Sequence, residues 1–119
     1  MREPLKDTIR LQHILEAISN IENASKDLTM LDLTSNVILR HGLTWNIMVI
    51  GEAANKLTKE FCAAHPETDW RAITGMRNVL VHDYYQINES ELFSVIIDDI
   101  PPLKSQIELY LKETIGQEK

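Results

Sequence analysis

The sequence predicts an all-α fold, an antiparallel bundle of four to five helices, and three observations carry that expectation. Apolar residues recur at helical spacing through several long stretches, while no stretch alternates apolar and polar as a half-buried strand would. Glycine is scarce, at 4 of 119 residues, and there are no internal repeats or low-complexity segments. The length suits a single domain, residues 1–119, large enough to bury a core without disulfide or metal staples. Helices with apolar stripes bury them against one another, which makes a bundle the natural packing.

The first helix is expected from about Pro4 to Leu28. Leu11, Ile14, Leu15, Ile18 and Ile21 form its stripe, and Gln12, Glu16, Asn20, Glu22 and Lys26 its polar face. Pro4 is tolerated in a first turn. Thr29 to Thr34 reads as a connector, with Thr34 or Ser35 as the next N-cap. A second helix runs from about Ser35 to Ala63 and has two apolar faces. Leu43, Ile47, Ile50, Ala54, Leu57 and Phe61 make one; Trp45, Met48, Val49 and Ala53 cover much of another. A helix on the surface of a monomer needs only one such face. The second is explained either by a central position in the bundle or by a subunit interface. Gly42 divides or kinks this helix, since glycine costs roughly 1 kcal/mol there relative to alanine.

His65-Pro66 ends the second helix. Thr68 or Asp69 caps a third, which begins at Trp70-Arg71, carries Ile73, Met76, Val79, Leu80 and Val81, and ends near Tyr84 or Tyr85. Asn88, Glu89 and Ser90 restart the chain toward Leu92, Phe93, Val95, Ile96 and Ile100. Pro101-Pro102 breaks or kinks it, and a last helix follows on Leu103, Ile107, Leu109, Tyr110, Leu111 and Ile115.

Composition excludes several function classes. A hydrophobic share of 44% and a charged share of 25% are those of an ordinary soluble globular protein. The lone Cys62 rules out an internal disulfide framework and a multi-cysteine zinc site, fits a reducing compartment, and reads as a buried or semi-buried thiol. The longest apolar run, Ile47 to Ile50, falls far short of the ~20 residues of a spanning helix. The opening Met1-Arg2-Glu3-Pro4 is not a secretory signal. A soluble cytoplasmic protein with no membrane partner is expected. The net charge of −6 is uneven: residues 83–119 hold eight carboxylates against Lys104, Lys112 and Lys119. Phosphate binding rests on Lys and Arg, so any RNA must be held by a local cationic groove. Arg40, Lys56, Lys59 and Arg71 are the candidates for its lining, beside Arg77.

The segment with chemical promise is Arg77-Asn78-Val79-Leu80-Val81-His82-Asp83-Tyr84-Tyr85. On a regular helix Asn78 and His82 lie about 40° apart and Arg77 and Tyr84 about 20° apart, whereas Arg77 and His82 diverge by roughly 140°. Arg77 and His82 can therefore meet at one small ligand only if the helix loosens near His82, or if two copies pool their residues across a two-fold axis. Taken singly, each residue has an ordinary explanation. Histidine is favoured at a helix C-terminus by the macrodipole, an arginine on a helix is usually solvated, and a tyrosine is often a half-buried aromatic. No histidine shares metal-ligand spacing with Cys62 or a carboxylate, and no cofactor motif, phosphate loop or nucleophile elbow is present.

The stretch Ile50-Gly51-Glu52-Ala53-Ala54-x-x-Leu57, followed by Trp70-Arg71-x-Ile73-x-Gly75-Met76-Arg77-Asn78-x-Leu80-x-His82-x-Tyr84, resembles the HepT-like toxins of the HEPN superfamily. Asp99-Ile100-Pro101-x-Leu103 resembles their C-terminal helix break, and the likeness spans about residues 5 to 115. The resemblance implies a metal-independent endoribonuclease, the toxin of a toxin–antitoxin pair, acting as a homodimer with its catalytic groove at the two-fold interface. Arg77 and His82 match the catalytic pair and Asn78 the polar residue that supports it. Tyr84 matches the tyrosine to which the partner antitoxin, a minimal nucleotidyltransferase, adds AMP. Tyr85 stands where an apolar aromatic is common in the family, and Gly42 interrupts the long helix. The alternative is a non-catalytic HEPN scaffold that binds a nucleotidyltransferase or a nucleotide.

Overall fold

Capping side chains punctuate the chain and mark where five of its helices begin. The computed structural model describes residues 4–83 and 86–118. α1 spans Pro4–Ala24. Residues 29–34 are not a connector but hold a short helix, α2 (Met30–Ser35). Its first turn is a capping box: the Asp32 amide donates to Thr29 Oγ1 at 3.1 Å, and the Thr29 amide donates to Asp32 Oδ2 at 2.9 Å. α3 (Val37–Asn55) is capped by Asn36, which accepts from the Leu39 amide at 3.0 Å. Thr34 and Ser35 do not cap it, because their hydroxyls donate back to the Leu31 carbonyl. α3 runs unbroken through Gly42, where an added Cβ would meet nothing within 4 Å.

The second apolar stretch is two helices, not one. α3 closes on the C-cap Lys56, and α4 (Lys59–Ala64) starts from Thr58, whose hydroxyl accepts from the Phe61 amide at 3.1 Å. The buried Asp7 carboxylate of α1 accepts from both the Thr58 amide (2.9 Å) and the Thr58 hydroxyl (2.8 Å), pinning the break from another element. α4 ends at His65, as His65-Pro66 requires. Cys62 is half-buried on α4, and burial, then the Asp7 carboxylate, pushes its thiol up. That suits a packed thiol rather than a reactive one.

α5 (Trp70–Leu80) is capped by Asp69, which accepts from the Ala72 amide at 3.1 Å. It stops at Leu80, short of the expected Tyr84 or Tyr85. A short antiparallel ribbon follows, β1 (Val81–Asp83) with β2 (Gln86–Ile87). The Asn88 amide donates to the Leu80 carbonyl at 2.6 Å, satisfying one of the acceptors a helix end leaves open. β-branched Val79 and Val81 also favour the extended backbone. Asn88 then caps α6 (Glu89–Ser94) by accepting from the Glu91 amide at 3.0 Å. A π-helical turn, Val95–Asp99, leads into α7 (Ile100–Glu118). Pro101 and Pro102 lack the N–H groups that an α-helix would direct to Ile97 and Asp98. The wider turn before them, with the Ile100 amide bonded to the Val95 carbonyl, lets the chain pass the prolines without breaking.

The long helices pack in the order α7, α1, α3, α5, and α2 and α6 close one end. The core runs between them on Leu11, Ile14 and Ile18 of α1, Leu43, Ile47 and Ile50 of α3, Leu80 of α5 and Ile107 of α7. The all-α expectation is therefore met, with one small ribbon added. Opposite that ribbon, Tyr110 of α7 is buried and shares a 2.6 Å hydrogen bond with Thr68, whose own proton goes to Gln106 at 2.7 Å. Burial pushes the Tyr110 phenol up, partly offset by the Thr68 bond. His65 stacks on Phe61 at 4.1 Å and holds the Phe61 carbonyl through Nδ1, so it serves packing. No helix among the described residues is long and apolar enough to cross a membrane.

Candidate active site

The Gly51 of the Ile-Gly-Glu-Ala stretch is where α3 and α5 touch backbone to backbone. A Cβ on Gly51 would lie 3.3 Å from the Ile73 carbonyl oxygen and 3.5 Å from that of Thr74. A side chain larger than a methyl would not fit so close a crossing without moving the α5 backbone. The crossing fixes α5 at Ile73–Thr74, and buried Met76 anchors its next turn. Asn78, one helical turn beyond Thr74, stays exposed. Asn78 and Thr74 line a cleft of about 230 Å³ with Met48, Gly51 and Glu52 of α3.

Arg77 lies in the last turn of α5, and His82 lies in β1. Val81 pairs with Ile87 and Asp83 with Gln86, so His82 has no residue facing it and is the extra residue of a bulge. Bulges bend the strand and re-aim the side chain they carry. The side chains of Arg77 and His82, and all of Tyr84, lie outside the described residues. Because α5 ends at Leu80, the helical angles that relate Arg77 and Asn78 to His82 do not apply. One of the two arrangements that could bring Arg77 and His82 together, a loosened helix end, is present in the backbone: the helix ends two residues before His82.

A second groove, of about 240 Å³, lies on the other side of the same α3 ridge, toward α1. Arg10 and His13 of α1 and Lys56 at the end of α3 stand around an apolar floor of Trp45, Met48, Val49 and Ala53, with Glu52 at its edge. Met48 and Glu52 line both hollows, so the two adjoin across α3. Of the four cations expected near a groove, Lys56 lines one of these two hollows. Arg40 is committed elsewhere: its Nη1 donates to the carbonyls of Leu33 (2.7 Å) and Thr34 (3.0 Å), and its Nε sits 3.4 Å from Glu89. Lys59 and Arg71 are exposed but line neither hollow. Arg10 and His13 went unmarked in the sequence reading, although their spacing of three on α1 puts them on one side of the helix. Among the described residues, no three His, Cys, Asp or Glu side chains gather as metal ligands.

Comparison with known proteins gives this geometry a family. The family model described as Ribonuclease HepT-like matches residues 14–110. A protein named "Putative RNase" from Caldanaerobacter subterraneus subsp. tengcongensis is 31% identical over 109 residues, covering 92% of this chain and 94% of the relative. A "Probable ribonuclease HepT" from Thermococcus cleftensis is 31% identical over 98 residues, covering 82% and 89%. A protein of Methanocaldococcus jannaschii named "Gamma-glutamylcyclotransferase and putative RNase" is 34% identical over 119 residues, all of this chain and 52% of that one. No solved structure matches the chain significantly.

Proposed function

The chain belongs to the Ribonuclease HepT-like family, and from that premise we propose that it is a metal-independent endoribonuclease, the toxin of a toxin–antitoxin pair, working as a homodimer. The observation that carries this is the motif's setting: Arg77 and Asn78 on the turn of α5 that follows the Gly51 crossing, and His82 on a bulge directly beyond it.

The chemistry uses the 2′-hydroxyl that RNA has and DNA lacks. One imidazole takes the 2′-OH proton as that oxygen attacks the adjacent phosphorus. The P–O5′ bond breaks, a second imidazole protonates the departing 5′ oxygen, and a 2′,3′-cyclic phosphate remains. Histidine, with an unperturbed pKa near 6.5, suits both roles. The Arg77 guanidinium grips the phosphate oxygens, where charge builds in the transition state. Asn78, exposed on the cleft, supports the imidazole or a phosphate oxygen. Each chain has one His82, so base and acid come from two copies. Support for pairing comes from the apolar surface left on α2 and α3: Leu31 is 72% and Ile38 75% exposed. Apolar surface of that kind marks an interaction face.

Control falls to Tyr84. A minimal nucleotidyltransferase antitoxin adds AMP to its hydroxyl, and the new phosphate then competes with substrate for Arg77. The acidic net charge of −6 favours a second reading, a non-catalytic scaffold that only holds the nucleotidyltransferase. The deciding experiment is purified protein on total RNA in EDTA, with His82→Ala and Arg77→Ala variants. Cleavage is expected to leave cyclic phosphate ends and to vanish in both variants while dimer mass and helicity persist. Cleavage that survives both substitutions, or a monomer that is fully active, overturns the proposal.

A further inference from the structure

The hollow between α1 and α3 has a chemistry that the motif does not explain. Two cations, Arg10 and Lys56, and the imidazole of His13 face a single carboxylate, Glu52, on a chain whose net charge is −6. Arg10 Nε is buried and has no hydrogen-bond partner. A buried guanidinium N–H without an acceptor is costly and invites one from a ligand. Between these cations lies an apolar floor that includes the indole of Trp45 and the thioether of Met48. Cations around an aromatic and apolar floor are the pattern that holds a single nucleic-acid strand, phosphate on the rim and base on the floor.

Adjacency supplies the occupant. Met48 and Glu52 form the ridge shared with the cleft of Asn78, so a strand whose reacting phosphate lies near Asn78 passes directly over α3 into this hollow. We propose that the α1–α3 groove seats an unpaired nucleotide of the RNA substrate flanking the cut bond, with its phosphate held by Arg10 and Lys56 and its base on the Trp45–Met48–Val49 floor. This rests on the nuclease function proposed above and adds to it a preference for single-stranded RNA. A paired base cannot leave its stack to reach the floor without unpairing.

Binding of a short unpaired RNA to the His82→Ala protein tests this without requiring turnover. The measurements are dissociation constants across a salt series, for that protein and for the same protein carrying Arg10→Ala and Lys56→Ala together. Loss of two phosphate contacts predicts about tenfold weaker binding at 0.15 M salt, and a log–log salt slope shallower by about 1.4. Lys104→Ala removes one cation that is paired with Glu22 far along the bundle, and leaves binding unchanged. A duplex of the same sequence binds more weakly than the single strand. Unchanged affinity and slope in the double variant, an equal loss in Lys104→Ala, or equal binding of duplex overturns the assignment. So does a loss of binding that accompanies a loss of dimer mass, which makes the groove a surface between copies. A wild-type protein that binds RNA through these cations but never cuts it overturns the nuclease reading alone. Cutting that persists while binding ignores Arg10 and Lys56 overturns this assignment alone.

Discussion

Replacing Gly51 with valine tests the joint on which the site is mounted. An alanine Cβ at this position sits 3.3 Å from the Ile73 carbonyl oxygen, tighter than an ordinary contact. Alanine recovers about 1 kcal/mol of helix propensity over glycine, and the squeeze consumes a similar amount, so Gly51→Ala is expected to be close to neutral. Valine adds two methyl groups against the α5 backbone, which cannot swing aside as a side chain could. Overpacking of this kind costs about 1–3 kcal/mol, or roughly 4–12 °C in Tm for a domain of this size. Activity is expected to fall further than stability does. α5 is 11 residues long and carries Arg77 and Asn78 just past the contact, and a 1 Å displacement of catalytic groups costs about 100-fold in rate. Thermal unfolding and single-turnover RNA cleavage, on Gly51→Ala and Gly51→Val side by side, read the two effects. A valine variant with unaltered Tm and unaltered cleavage refutes the backbone-to-backbone crossing and its role in aiming α5.

Three further outcomes follow from the packing. Tyr110→Phe is expected to cost about 1 kcal/mol in urea unfolding, because Thr68 keeps Gln106, whereas Thr68→Val costs about 2 kcal/mol because it strands the buried phenol; equal costs contradict that network. Arg40→Ala frees the Leu33 and Thr34 carbonyls and Glu89, and is expected to cost about 2 kcal/mol and speed amide exchange across Val81–Ile87, since α6 anchors that ribbon; exchange that stays unchanged there contradicts the anchoring role. Burial, then the Asp98 and Glu91 carboxylates, pushes Asp99 above its ordinary range. A raised carboxyl favours the fold while protonated and loses that contribution as pH rises through its folded value. Asp99→Asn is therefore expected to raise Tm at pH 7 and to leave it unchanged below about pH 4; a lower Tm at pH 7 contradicts the sign.

Much of this protein is written locally. The stripe of α1, the Asp69 cap of α5, the Asn88 restart and the end of α4 at His65 depend on side chains within a few residues of the backbone they act on. Such short-range hydrogen bonds and periodicities need no knowledge of the rest of the chain. The candidate motif of Arg77, Asn78, His82 and Tyr84 stood out instead through its resemblance to a family, since each residue taken singly has an ordinary explanation. The misreadings are instructive because each involves a distant partner. The long second helix breaks at Lys56 because Asp7, 51 residues before Thr58, grips the Thr58 backbone and hydroxyl. α5 ends at Leu80 because Ile87 and Asn88 return to pair with its exit, which puts His82 on a bulge instead of a helix face. Arg40 looked like a groove cation but is spent on two helix carbonyls and Glu89, while Arg10 and His13 reach the groove from α1.

The sequence by itself determined the helical class and the Asp69 and Asn88 caps, because spacing and side-chain chemistry are properties of the local chain. Only the tertiary structure decided where α3 stops, how closely α5 approaches it and which cations share a hollow with Asn78's neighbours. Those outcomes depend on contacts between residues tens of positions apart, whose free energy exists only once the helices have packed.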